Sequence, residues 1–126
     1  MNIEEASNWF KELQEQLCDK IEELDTSSKM ISPNKTTRKG WVQQHRVMYG
    51  DIFEKGTVNF SHVTGEFKEE FAKKIPGTEQ SRKYTATGIS VVLHFANPKV
   101  PAMHFNTRMI ETGITWYGGG FDVTPC

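Results

Sequence analysis

The sequence predicts an α+β fold, a largely antiparallel sheet flanked by helices. Three observations lead there. Apolar residues step by three and four at the start of the chain and once more near its middle. Short runs with strand character, bounded by turn residues, fill most of the rest. Their order is helix, strands, helix and then a meander, the pattern of helices covering an antiparallel sheet. At 126 residues the chain is one domain, residues 1–126: a helix over 3–24, a polar connection over 26–40, and sheet with helices over 41–126.

Phe10, Leu13, Leu17, Ile21 and Leu24 form the apolar stripe of the first helix, with Trp9 packed beside it. Asn2 with Glu5 three residues later, or Ser7 in its place, is the expected N-cap. Thr26 to Gly40 reads as an exposed connection, and its basic run from Lys35 to Lys39 as a solvated loop rather than a phosphate site. Trp41 to Tyr49 is a strand, and Gly50-Asp51 a turn. Ile52-Phe53 and Thr57 to Val63 follow as strands separated by Glu54-Lys55-Gly56. Glu66 to Ile75 is a short helix with Phe67, Phe71 and Ile75 on one stripe, stopped by Pro76-Gly77. Thr87 to Phe95 and Met103 to Glu111 are strands around a loop whose two prolines are Pro98 and Pro101. Thr112-Gly113 turns the chain into Ile114 to Tyr117.

Fifteen basic and 16 acidic side chains nearly cancel, so no global field draws nucleic acid or anionic lipid and any anion recognition must be local. No apolar run is long enough to span a bilayer. The first five residues show neither the basic-then-apolar order of a signal peptide nor the acid-poor character of a transit peptide, which predicts a cytoplasmic protein. Cys18 and Cys126 stand outside any C-x-x-C spacing and read as separate thiols of a reducing compartment, a long-range disulfide being the alternative.

Side chains alternate faces along a strand. Ile89, Val91, Leu93 and Phe95 therefore share a core face, and Ser90, Val92 and His94 take the other. In the next strand His104, Asn106, Arg108 and Ile110 lie opposite Phe105, Thr107 and Met109. A symmetric hairpin around Pro98–Pro101 sets His94 beside His104 and Ser90 beside Arg108, which gathers Ser90, His94, His104, Asn106 and Arg108 into one polar patch. Singly, His94 reads as a satisfied half-buried imidazole, Arg108 as an ion-pair partner, Asn106 as a strand residue and Asp122 as a turn residue. Together their donors call for an acceptor or for open water, and a carboxylate ligand held by the Arg108 fork meets that need. Gly118-Gly119-Gly120 permits close backbone approach and puts Asp122 at a loop or strand end, a candidate acid, base or cation partner near His104. No G-x-S-x-G elbow or base-paired cysteine supports a nucleophile, and two histidines ten apart are a weak metal signal.

The run GISVVLHFANPKVPAMHFNTRMIETGITWYGGGFDVTP, Gly88 to Pro125, resembles the oxygen-dependent coproporphyrinogen III oxidase family. That family carries a similar strand with G-V-S and a histidine, then N-P-x-x-P, H-x-N-x-R and W-F-G-G-G-x-D-L-T-P. GDIFEKGTVNFSHVTG, Gly50 to Gly65, is similar to the family's G-x-V-F-E-K-x-x-V-x-x-S-x-V-x-G. Departures include Tyr117 for Phe, Val123 for Leu, and Trp41-Val42-Gln43-Gln44-His45 where members have a glycine run.

The resemblance implies conversion of two propionates of coproporphyrinogen III to vinyl groups, giving protoporphyrinogen IX in haem synthesis. Molecular oxygen is the implied co-substrate, with no organic cofactor and a disputed divalent metal. It implies a mostly antiparallel sheet with helices on both faces, and a homodimer. His104 corresponds to the proton donor, Asn106-Thr107-Arg108 and Ser90 to substrate contacts, His94 and His104 to metal positions, and Asp122 to the acidic partner of the pyrrole N–H groups. Family members run to more than twice this length, so the expectation is an N-terminal part, a truncated and by itself inactive fragment. The rival readings are a non-catalytic tetrapyrrole-binding or interaction module and a small metal-binding protein using His94 and His104.

Overall fold

A computed structural model describes residues 2–38, 41–75, 77–78 and 81–124. The helices are α1 (Ile3–Leu24) and the single turn α2 (Glu69–Ala72). The strands are β1 (Ile31–Arg38), β2 (Trp41–Met48), β3 (Phe53–Glu66), β4 (Lys83–Phe95), β5 (Ala102–Glu111) and β6 (Thr115–Thr124). All six strands form one antiparallel sheet in sequence order. The α+β class expected from the sequence is the class observed.

The helix begins as its capping residues require. Asn2 Oδ1 accepts from the Glu5 amide at 2.8 Å, and Asn2 Nδ2 donates to Glu5 Oε1 at 2.9 Å. Its buried face is Ala6, Ser7, Phe10, Gln14, Cys18 and Ile21, so the apolar stripe is turned from the expected one and Leu24 is 65% exposed. The cause is polar. Gln14 Nε2 donates to Gln44 O at 3.0 Å and Val58 O at 2.9 Å, and Ser7 Oγ meets His62 Nδ1 at 3.0 Å. A buried amide is tolerated once its donors are met, and here meeting them fixes how the helix is rotated on the sheet. Trp9 stands half exposed, edge-on to Phe10 at 5.3 Å.

Four expectations need correction. Residues 31–38 are not an exposed connection but the edge strand β1, paired with β2 from Ile31–Val47 to Arg38–Trp41. Pro33 falls at the irregularity between Ile31 and Asn34, where a residue without an N–H costs the ladder nothing. Lys39 and Gly40 lie outside the described residues. The two runs either side of Glu54-Lys55-Gly56 are one strand, β3, bent by an irregularity between Phe53 and Lys55. That bulge resets the alternation, so Phe53 and Val58 are both buried. The expected helix over 66–75 shrinks to Glu69–Ala72, because Glu66 still pairs with Lys83 and Phe67 is tied to Arg82 O and stacked on Tyr84 at 4.3 Å. Pro76 lies outside the described residues. Finally, the run entered at Ile114 does not stop at Tyr117: β6 carries on through the glycines, and Asp122 stands near its end, the second of the two places expected for it.

The core lies between α1 and one sheet face, where Phe10, Cys18 and Ile21 meet Val58, Phe60, Ile89 and Met109. Asp25, just beyond α1, accepts from the amides of Ile52 (2.8 Å) and Phe53 (3.1 Å) and from Ser27, clasping the helix end to the β2–β3 turn. Cys18 is a free, fully buried thiol, and Cys126 lies outside the described residues. Burial pushes the Cys18 thiol up to about 11, which leaves it a packing residue. Where the resemblance implies helices on both faces, α1 covers one. Among the described residues no other helix exceeds a single turn, and the second face of the central strands stands open to a cavity.

Candidate functional site

The open face is built by strand alternation and register. Pairing brings His45, Asn59, Ser90, Asn106 and Gly120 into one row across β2 to β6. A neighbouring row runs Gln43, Ser61, Gly88, Arg108 and Gly118. On the other side of the first row lie Thr57, Val92, His104 and Asp122. Adjacent members of a row stand about 4.8 Å apart along the hydrogen-bonding direction. A cavity of about 490 Å³ opens on this face, lined by Gln43, His45, Asn59, Ser90, Tyr84 and Arg108 among others.

Ser90, His94, His104, Asn106 and Arg108 share this face, as the alternation predicts. The register differs from the symmetric hairpin by two residues: Val92 lies opposite His104, Ser90 opposite Asn106 and Gly88 opposite Arg108. The turn closes early, with Val100 N bonded to Asn97 O and Lys99 N to Asn97 Oδ1, so Pro101 falls on the β5 side and the ladder begins at Leu93–Met103. His94 and His104 are therefore diagonal neighbours, their ring centroids 6.3 Å apart. Thr107 pairs with Ile89, a core residue, so its side chain projects to the helix side, away from Asn106 and Arg108.

Glycines shape the surroundings of Arg108. A Cβ at Gly88 would stand 2.4 Å from Thr107 O and 2.8 Å from Arg108 Cβ, so only glycine lets β4 and β5 approach here. A Cβ at Gly118 would meet nothing within 4 Å; its absence leaves open floor on the other side of Arg108. Ser90, Asn106 and Arg108 make no side-chain hydrogen bond or ion pair with a described residue, so their donors face the cavity or water. Asp122 lies directly opposite His104, and its Oδ2 accepts from Thr124 Oγ1 at 3.1 Å. This set can anchor a carboxylate through Arg108 and offer an imidazole and a carboxylate beside it.

The fit to a metal is poor. Among the described residues no three of His, Cys, Asp and Glu come together, and two imidazoles alone do not close a site. Two residues on the β2–β3 side of the face, His45 and Asn59, were not singled out from the sequence. For Asn59 the signal was its place between the apolar Val58 and Phe60, whereas Gln43-Gln44-His45-Arg46 shows no such alternation; only the β2–β3 and β3–β4 registers show that His45 and Asn59 join the Ser90 row.

A six-stranded antiparallel sheet backed by a helix on one face and polar on the other defines an α+β protein. The family model for coproporphyrinogen III oxidase matches residues 5–126. The oxygen-dependent coproporphyrinogen-III oxidase of Rickettsia felis (strain ATCC VR-1525 / URRWXCal2) is 48% identical over 133 residues, covering 98% of this chain and 48% of that protein. The proteins of the same description from Rickettsia akari (strain Hartford) and Rickettsia bellii (strain OSU 85-389) are 47% and 46% identical with the same coverage. This chain belongs to the coproporphyrinogen III oxidase family. It spans about half the length of the curated relatives it matches. Among the described residues no helix is long and apolar enough to cross a membrane.

Proposed function

We propose that the open face is the substrate face of an oxygen-dependent coproporphyrinogen III oxidase, working in the cytoplasm as part of a homodimer. The carrying observation is Arg108 set between Gly88 and Gly118, beside Ser90 and Asn106, with every one of these side chains unpartnered within the described residues. The relatives' description supplies the substrate and the oxidant. In this reading Arg108 takes one propionate by its two-point fork, and Ser90 and Asn106 complete the carboxylate's hydrogen bonds. Asp122 faces the macrocycle's N–H groups, and His104 opposite it handles the proton. Each propionate that becomes a vinyl group loses carbon dioxide and two electrons, and oxygen accepts those electrons.

The exposure of His104, Arg108 and Asp122 supports a second reading, in which these 126 residues hold the tetrapyrrole without turning it over. A water-filled face screens the charges that orient a substrate. One experiment separates the two: coproporphyrinogen III with the purified chain, moved from anaerobic to aerobic conditions, following protoporphyrin fluorescence after oxidation. Oxygen-dependent product that vanishes in His104→Ala supports the oxidase reading. Saturable binding without product, weakened in Arg108→Ala, supports the binding module. An Arg108→Ala chain with unchanged affinity and turnover overturns the role given to Arg108.

A further inference from the structure

We infer that the substrate face carries a second carboxylate anchor on β2, His45, oriented by Asn59. The inference rests on the reading of Arg108 as the first anchor and extends it across the sheet. His45 Nδ1 lies 2.9 Å from Asn59 Oδ1. A carbonyl oxygen only accepts, so Nδ1 carries the proton and the ring is held by one edge. Its Nε2 makes no hydrogen bond to a described residue. Both side chains are half-buried and line the cavity of about 490 Å³ that also holds Ser90 and Arg108. An imidazole pinned at one nitrogen and open at the other is built to meet a ligand.

The cavity's composition says which ligand. No acidic side chain lines it, and His45 and Arg108 are the two lining groups able to carry positive charge. They stand on opposite sides, three strand spacings apart, roughly 14 Å across the sheet before their side chains reach inward. Gln43, Asn59 and Ser61 add neutral donors at the His45 side, while Val63, Phe67, Tyr84, Ala86 and Ile110 form an apolar end. An apolar ring bearing carboxylates on separate edges fits this layout; a ligand with one carboxylate engages only half of it. Nε2 meets a carboxylate when the imidazole is protonated, with both ring nitrogens then donating. Asn59 is a positioning residue that acts through His45.

The test is a fluorescence titration of the 126-residue chain with coproporphyrin III, which has four propionates, and protoporphyrin IX, which has two. Wild type is expected to prefer coproporphyrin III. His45→Phe should weaken coproporphyrin III about tenfold, as loss of one charge-assisted hydrogen bond does, and erase that preference. His45→Leu serves as a smaller apolar variant should the phenyl ring disturb folding, judged by circular dichroism. Asn59→Leu should cost part of the affinity in wild type and nothing once His45 is replaced, a coupling that a purely structural role would not produce. If Arg108→Ala weakens binding while the folded His45 variants match wild type, His45 is no anchor and the Arg108 reading stands. If wild type binds neither porphyrin, or no substitution changes affinity, both fail together.

Discussion

Asp25 is two per cent exposed and carries more of the fold's polar wiring than any catalytic candidate does. The Ser27 hydroxyl first, and then the Ile52, Phe53 and Ser27 amides, hold its carboxyl down at about 2 against an ordinary 3.8, overcoming the opposing effect of burial. A depressed folded-state value means that the clasp contributes fully above about pH 3.8 and is lost as the pH falls toward 2. Asp25→Asn should therefore melt at lower temperature than wild type at neutral pH, and the gap should narrow between pH 4 and pH 2. A gap that stays constant through that window would show that the carboxylate's charge is not what the clasp uses. Residue chemistry of this sort was not visible beforehand: Asp25 sits in a polar run, and only its meeting with the β2–β3 turn reveals the role. Ser90, Asn106 and Arg108, by contrast, were placed on one face by parity alone. Thr107 was assigned with them by its place in a motif, and alternation sends it to the other side.

Elements followed their local signals where those signals were complete. The ends of α1 matched because its cap and its apolar period are both contained in the sequence. α2 and the segment 26–40 did not match, since Phe67's stacking on Tyr84 and the pairing of β1 with β2 are contacts between distant residues. The glycines of β4 and β6 offer a test at this scale. Gly88→Ala places a Cβ 2.4 Å from Thr107 O and should destabilise the sheet by about 1–3 kcal/mol. Gly118→Ala enters open space and should leave the urea midpoint unchanged within error. Equal midpoints for the two variants would mean that β4 and β5 are not as close at Gly88 as described. Enlarging Gly118 further, to Leu, fills the floor beside Arg108 and should weaken coproporphyrin III while the fold stays intact.

Across the whole molecule, α1 lies over the central strands and covers β5 at Met109, leaving the Phe105 end of β5 and β6 uncovered on the same side. Phe105, Tyr117, Phe121 and Val123 are exposed there by between 38% and 62%, with Phe105 directly opposite Phe121. A contiguous apolar patch on an end strand is unusual for a solvated surface. The chain should bind an apolar dye such as anilinonaphthalene sulfonate in its folded state. Phe121→Ser should reduce that fluorescence without lowering the melting temperature. A fall of several degrees in the variant would instead place Phe121 in a packed core.

Period-two alternation depends only on where a residue stands in its own strand. The sequence alone therefore determined the α+β class, the two faces of β4 and β5, and the motifs that mark the family. Register is a relation between strands, settled by how a turn closes and by pairing over long separations. That is why the two-residue slide at Asn97–Val100 and the rotation of α1 about Gln14 emerged only with the tertiary structure. The joining of His45 and Asn59 to the Ser90 row has the same origin, because two sheet pairings must both be in place before those residues meet.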